Sequence, residues 1–210
     1  MRKTVAALYV EKNGVYALPF VDVWDAERDA RLYTGLLPVV AHPPCERWGR
    51  YWSGGPSARV RRKLGDDGGC FAAALRAVRK FGGVIEHPEA SHAWRAFGLV
   101  RPPKSGGWIP AGDGFGWTCC VEQGHYGHRA RKATWLYVVT DYSKLPELRW
   151  GPARGERLDE GFHSAEERRQ RRRSGQAPRR RLSKAENLAT PYAFRDVLLA
   201  IAAGASYRKG

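Results

Sequence analysis

The chain has 210 residues, 43% of them hydrophobic, which is enough for one domain with a sizeable core. Its 36 Lys and Arg exceed its 21 Asp and Glu, and the resulting charge of +15 points to a polyanionic partner, nucleic acid first. Four irregularly spaced cysteines exclude a disulfide-stapled secreted module, no apolar run reaches membrane-spanning length, and Met1 to Val10 lacks a signal-peptide core, so a soluble protein of a reducing cytoplasm is expected.

Thr4 to Val10 reads as an opening strand. Asn13-Gly14 is a turn signal, and Val15 to Phe20 is expected to return as the hairpin partner of that strand. Asp22-Val23-Trp24-Asp25 follows, then a charged short helix or turn over Ala26 to Tyr33. Pro38 to Ala41 has the apolar character of a short buried strand. Pro43 and Pro44 cannot donate to a strand ladder, so the backbone leaves the sheet there. Cys45 comes next, at the carboxyl end of a strand, where open α/β sheets bind ligands. A thiol so placed can react; a structural cysteine after a Pro-Pro turn is the alternative.

From Trp48 to Lys63, Trp48, Arg50 and Trp52 lead into Arg59, Arg61, Arg62 and Lys63, a composition suited to phosphates and bases. Asp67 to Phe81 is the clearest helix, with Phe71, Ala74, Leu75 and Val78 at helical spacing and Gly82-Gly83 as its stop. Val84-Ile85 begins another strand, ending in Glu86-His87-Pro88-Glu89. Strand, helix, strand is the unit of a parallel sheet, and it puts Cys45 and Glu86 at one sheet edge. Ser91 to Leu99 reads as a short helix, Trp117 to Gln123 and Ala133 to Thr140 as an antiparallel edge hairpin, and Gly124 to Lys132 as its basic turn. Asp141 to Leu182 is polar and Arg-rich, a composition that disfavours a packed core. Thr190 as N-cap and Pro191 as first helical residue open a final helix to Ala203, with Phe194, Val197, Leu198 and Ile201 as its stripe. The expected organisation is a catalytic α/β core over 1–140, a basic insert over 141–185 and a C-terminal helix over 186–210 packing back on the core.

Three sheet-edge segments, Pro43-Pro44-Cys45, Ile85-Glu86-His87-Pro88 and Gly127-His128-Arg129-Ala130-Arg131-Lys132, stand in an order that resembles the catalytic motifs of the DNA cytosine-C5 methyltransferases. That family has a Pro-Cys nucleophile after a strand, a Glu-Asn-Val strand end and a Gln-x-Arg-x-Arg hairpin. The resemblance covers 38–140 and implies a Rossmann-like, mainly parallel sheet with an antiparallel edge hairpin and helices on both faces. It implies Cys45 as the nucleophile that adds to C6 of a cytosine, Glu86 as the carboxyl group at N3 and the exocyclic amine, and Arg129 and Arg131 as cations that hold the base or phosphate and depress the thiol pKa. Pro44, Arg47, Trp48, His87 and His128 are the neighbouring candidate substrate contacts. It implies S-adenosylmethionine or a related donor, for which Asp22 and Asp25 are candidates, and a compact member of phage type. Arg59, Arg61, Arg62, Arg171, Arg172, Arg173, Arg179, Arg180 and Arg181 are candidate nucleic-acid contacts, with DNA as the expected partner and no membrane. The sequence departs from the family in having no Phe-x-Gly-x-Gly loop, Gly127 in place of the hairpin glutamine, and no Asn-Ser signature before the last helix.

Two other classes compete. Cys119, Cys120, His125 and His128, with Cys45 and His87, contain zinc-ligand types and would make a zinc-stabilised nucleic-acid-binding module, although adjacent cysteines without a CxxC spacing favour no metal. Asp22, Asp25, Glu86 and Glu89 could hold magnesium in a nuclease.

Overall fold

A computed structural model describes residues 2–50, 52–53, 62–155, 165–177 and 182–205. Among these residues seven strands form one mixed sheet: β1 (Val5–Leu8), β2 (Val21–Trp24), β3 (Val39–Ala41), β4 (Gly83–Pro88), β5 (Ile109–Pro110), β6 (Trp117–Glu122) and β7 (Ala133–Val139). Their order is β2-β1-β3-β4-β7-β6-β5. The first four run parallel; β7, β6 and β5 add an antiparallel flank. The expected β6–β7 hairpin exists, but it is stitched to β4 through β7, and β5 is the outer strand. Among the described residues five α-helices accompany the sheet: α1 (Cys70–Phe81), α2 (His92–Ala96), α3 (Ala165–Arg173), α4 (Lys184–Leu188) and α5 (Tyr192–Gly204).

Alternation along the strands divides the core into two layers. Ala6, Leu8, Val39, Ala41, Ile85 and Tyr137 face α1, which buries Phe71, Ala74, Leu75, Val78 and Phe81. Val5, Ala7, Val40, Val84, Leu136 and Val138 face α5, which buries Phe194, Leu198, Leu199, Ile201 and Ala202. The helix α5 starts at Tyr192 as expected, but Pro191 rather than Thr190 is its N-cap and offers no side-chain bond. At the other face the Asp67 carboxylate caps α1, accepting from the Gly69 and Phe71 amides and from the Trp48 indole. Close approach of β3 to β4 demands a glycine: Gly83 has φ 117°, and a Cβ there would lie 2.0 Å from the Val39 carbonyl oxygen.

One expected pairing is corrected. The Asn13-Gly14 turn forms, with the Gly14 amide on the Glu11 carbonyl, yet Val15–Phe20 is no strand. Residues 10–20 instead cross over the α5 face, Tyr16 becomes buried there with Leu18 and Phe20 beside it, and β2 pairs parallel to β1. Those apolar side chains gain more from the α5 layer than from an exposed edge hairpin. The basic segment is also not uniformly unpacked: Leu148 and Ala153 are buried, and Trp150 packs edge-on against Trp108.

Candidate active site at the carboxyl edge of the sheet

Strand β1 lies between β2 and β3, so the chain reverses its direction of travel across the sheet there. In open α/β sheets such a switch point opens a crevice at the carboxyl ends of the strands. The site stands at this edge, and residue parity builds it. Beyond Val40 on the α5 face comes His42; beyond Val84, Glu86; beyond Val121, Gln123; before Leu136, Thr134. The apolar rows that α5 covers therefore end in a polar layer at the amino end of that helix.

These side chains form one hydrogen-bonded line. Tyr16 Oη lies 2.8 Å from His42 Nε2, and His42 Nδ1 lies 2.9 Å from Glu86 Oε2. Gln123 Nε2 donates to Glu86 Oε1 at 3.2 Å and to Thr134 Oγ1 at 3.0 Å. The Glu86 side chain is 12% exposed and that of His42 14%. Burial opposes a charge on Glu86, but the hydrogen bond and charge of His42, with Lys132 and His87 beyond, hold its carboxyl down to about 2. Glu86 is thus an ionised carboxylate with both oxygens already engaged.

Cys45 begins a turn whose Trp48 and Gly49 amides return to its carbonyl, and its thiol is partly exposed. The expected depression of its pKa is corrected: burial pushes the thiol up, the Glu86 charge pushes it further, and only its own backbone bond and Lys132 pull it down. The arginines expected to supply that pull are elsewhere. Arg129 Nε lies 3.4 Å from Glu186 Oε1, and Arg131 is exposed. The charge of Lys132 acts on both Glu86 and Cys45, while its amine donates to the Ala189 carbonyl.

Other expected contacts are redistributed. Trp48 is a core residue against Phe71 and Phe97, not an open stacking face. His87 is fully buried between Phe71 and Trp94, where burial holds it neutral, down to about 4, so it touches no substrate. His128 accepts from the Ala130 amide and lies 2.9 Å from the Glu186 carbonyl, tying the hairpin turn to α4. Pro44 is exposed, and Arg47 has a buried Nη1 without a hydrogen-bond partner. Asp22 pairs with Arg28 and the Trp24 indole, and one oxygen of Asp25 caps the turn at Glu27 and Arg28. Arg62 and Arg171 to Arg173 are described; Arg59, Arg61 and Arg179 to Arg181 lie outside the described residues.

Both metal readings fail on geometry. Cys119 and Cys120 face opposite layers of the sheet, His125 bonds the Gly151 carbonyl, and His128 is engaged as above. Asp22 on β2 is three strands from Glu86 on β4, about 14 Å at ordinary strand spacing, and Glu89 pairs with Lys104. Among the described residues no group of three or more His, Cys, Asp or Glu could hold a metal ion, and no helix is long and apolar enough to cross a membrane.

A cleft of about 330 Å³ adjoins the site, lined by Val15, Arg129, Ala189, Thr190 and Tyr192 among others. Sequence reasoning singled out Cys45 and Glu86 but not Tyr16, His42 and Gln123, which the structure joins to Glu86. The available clue was polar residues continuing an apolar strand row in phase, as in Val40-x-His42 and Val84-x-Glu86. No family model, no curated protein and no solved structure matches this chain.

Proposed function

We propose that this protein acts on cytosine in nucleic acid, with Cys45 as a nucleophile that adds to C6 of the base, on a Rossmann-like scaffold resembling that of the cytosine-C5 methyltransferases. The observation that carries the reading is the placement of Cys45 in the turn after β3 and of Glu86 on the adjacent parallel strand β4, both at the carboxyl edge of the sheet, where open α/β folds bind ligands. In the proposed step the S–C6 bond forms and the C5=C6 electron pair moves to C5, which then accepts an electrophile. A base removes the C5 proton, the pair returns to C5=C6, and the thiolate leaves. Glu86 retains lone pairs for the exocyclic amine of the base. Asp22 and Asp25, the candidates for holding S-adenosylmethionine, have local partners in Arg28, Trp24 and the turn amides, and no step is routed through a donor. A base in duplex DNA must flip to reach such a site, and the basic surface supplies the backbone affinity.

Addition of a thiolate makes C5 exchange its proton with solvent, with no donor required. Single-stranded DNA incubated with the protein in deuterated buffer should gain deuterium at cytosine C5, read by nucleoside mass spectrometry. Cys45→Ala should abolish the exchange and leave DNA binding intact. Full exchange by that variant would sink the nucleophile assignment. Binding without exchange by the wild type favours the second reading, a non-catalytic nucleic-acid-binding protein, which the double engagement of the Glu86 oxygens supports.

A further inference from the structure

Tyr16 and His42 have no part in the proposed addition step, yet they complete one side of Glu86. Val40 and Ala41 pair with Val84 and Ile85, and His42 and Glu86 are the next residues of the two chains. Both partners of this arm are held by backbone. The His42 amide donates to the Leu8 carbonyl at 3.1 Å. Arg195 of α5 donates at 3.0 Å to the carbonyl of Val15, the residue before Tyr16. Tyr16 is 2% exposed, so it acts only through His42.

The hydrogens of the line have assignable directions. The Thr134 hydroxyl donates to the Lys132 carbonyl and so accepts from Gln123. Gln123 therefore turns its NH2 group to the site, one hydrogen to Thr134 and one to Glu86 Oε1, and leaves its own Oε1 buried without a partner. On the other side a carboxylate accepts and does not donate, so the hydrogen between His42 and Glu86 sits on Nδ1. Nε2 of the neutral ring then carries only a lone pair, and the Tyr16 hydroxyl donates to it. Donors thus clamp both Glu86 oxygens, one from the end of β3 and one from the end of β6. A carboxylate has about four lone-pair positions, so roughly two stay open.

We propose that Tyr16 and His42 are positioning residues that fix Glu86 as a hydrogen-bond acceptor, so that the site takes a pyrimidine with an exocyclic amine and turns away one with a carbonyl at that position. This rests on the reading of the edge as a base site and adds the residues that set its selectivity. A carbonyl brought to these lone pairs finds no donor and is left unpaired. The depressed titration of Glu86 agrees in direction.

The test is long-range proton–nitrogen spectroscopy of the His42 ring in the full chain, titrated with deoxycytidine monophosphate or deoxyuridine monophosphate. Nδ1 should carry a hydrogen, and the cytidine nucleotide should shift the ring signals where the uridine nucleotide at equal concentration does not. Tyr16→Phe should admit the second tautomer. Amide shifts of Gln123 and Thr134 report affinity in the variants. His42→Asn, whose amide nitrogen falls near the Nδ1 position, should keep cytidine nucleotide affinity within about threefold, while His42→Gln, whose nitrogen falls near Nε2, should weaken it about tenfold. A merely structural role would make the two losses equal. A bare Nδ1 in the wild type, equal binding of the two nucleotides, or equal losses in the two variants overturns the proposal. A hydrogen on Nδ1 with no response to either nucleotide overturns instead the reading of the edge as a base site, and the selectivity with it.

Discussion

Glu86→Gln should destabilise the protein at neutral pH by an amount that disappears in acid. The wild-type carboxylate is held down to about 2 against an ordinary value of 4.5, mainly by His42 once burial is overcome. At about 1.4 kcal/mol per pH unit, that gap corresponds to about 3 kcal/mol of stability, an upper figure because His42 shares the interaction. Local chemistry agrees: hydrogen bonds to a charged group contribute about 1.5–3 kcal/mol each. The amide also turns one acceptor into a donor, which meets either the imidazole or the Gln123 amide group. Gln123 can answer by flipping, since its Oε1 has no partner, but Thr134 then loses its donor. For a chain of this size the loss should lower Tm by roughly 6–12 °C at pH 7. The folded carboxyl titrates below the unfolded one, so the stabilisation is complete above about 4.5 and fades as pH falls toward about 2. Urea titrations of both proteins from pH 7 to pH 2.5 should therefore converge in acid. A stability difference that stays constant over that range would refute an ionised Glu86.

Other substitutions probe separate parts of the fold. His87→Leu should flatten the stability profile between pH 6.5 and about 4, because the wild-type imidazole stays neutral down to about 4 while the unfolded one takes a proton below 6.5; parallel profiles for the two proteins would contradict a buried neutral His87. Gly83→Ala should prevent accumulation of folded protein, a loss of more than about 4 kcal/mol, since its Cβ collides with the Val39 backbone; a Tm within a few degrees of wild type would show that β3 and β4 are not so close. On α3, Arg168 and Arg172 are exposed one turn apart, whereas Arg171 pairs with Glu167 and bonds the Ala177 carbonyl. Replacing Arg168 and Arg172 with Ala should reduce the slope of log K against log salt for single-stranded DNA by up to about 0.7 per lost phosphate contact, and Arg171→Ala should change it less. An unchanged slope in the double variant would mean that this helix face does not meet phosphate.

Much of the scaffold was legible in the chain. Apolar runs gave β1, β3, β4 and β7, helical spacing gave α1 and α5, and the Pro43-Pro44 break put Cys45 at a strand end beside the strand of Glu86. These features are local: periodicity, proline and glycine act within a few residues, and right-handed crossovers then align the strand ends. What surrounds Cys45 was not local. Tyr16 reaches His42 only because residues 10–20 cross the α5 face instead of forming a hairpin. Gln123 reaches Glu86 across β7, and Lys132 reaches Ala189 over 57 residues of chain. The sequence offers three cations in the hairpin turn, Arg129, Arg131 and Lys132, with nothing to rank them. The tertiary structure separates them: Glu186 faces Arg129, Arg131 is exposed, and the Lys132 amine donates to the Ala189 carbonyl. A motif specifies which charges are available, but their distances and partners are set by packing between segments far apart in the chain.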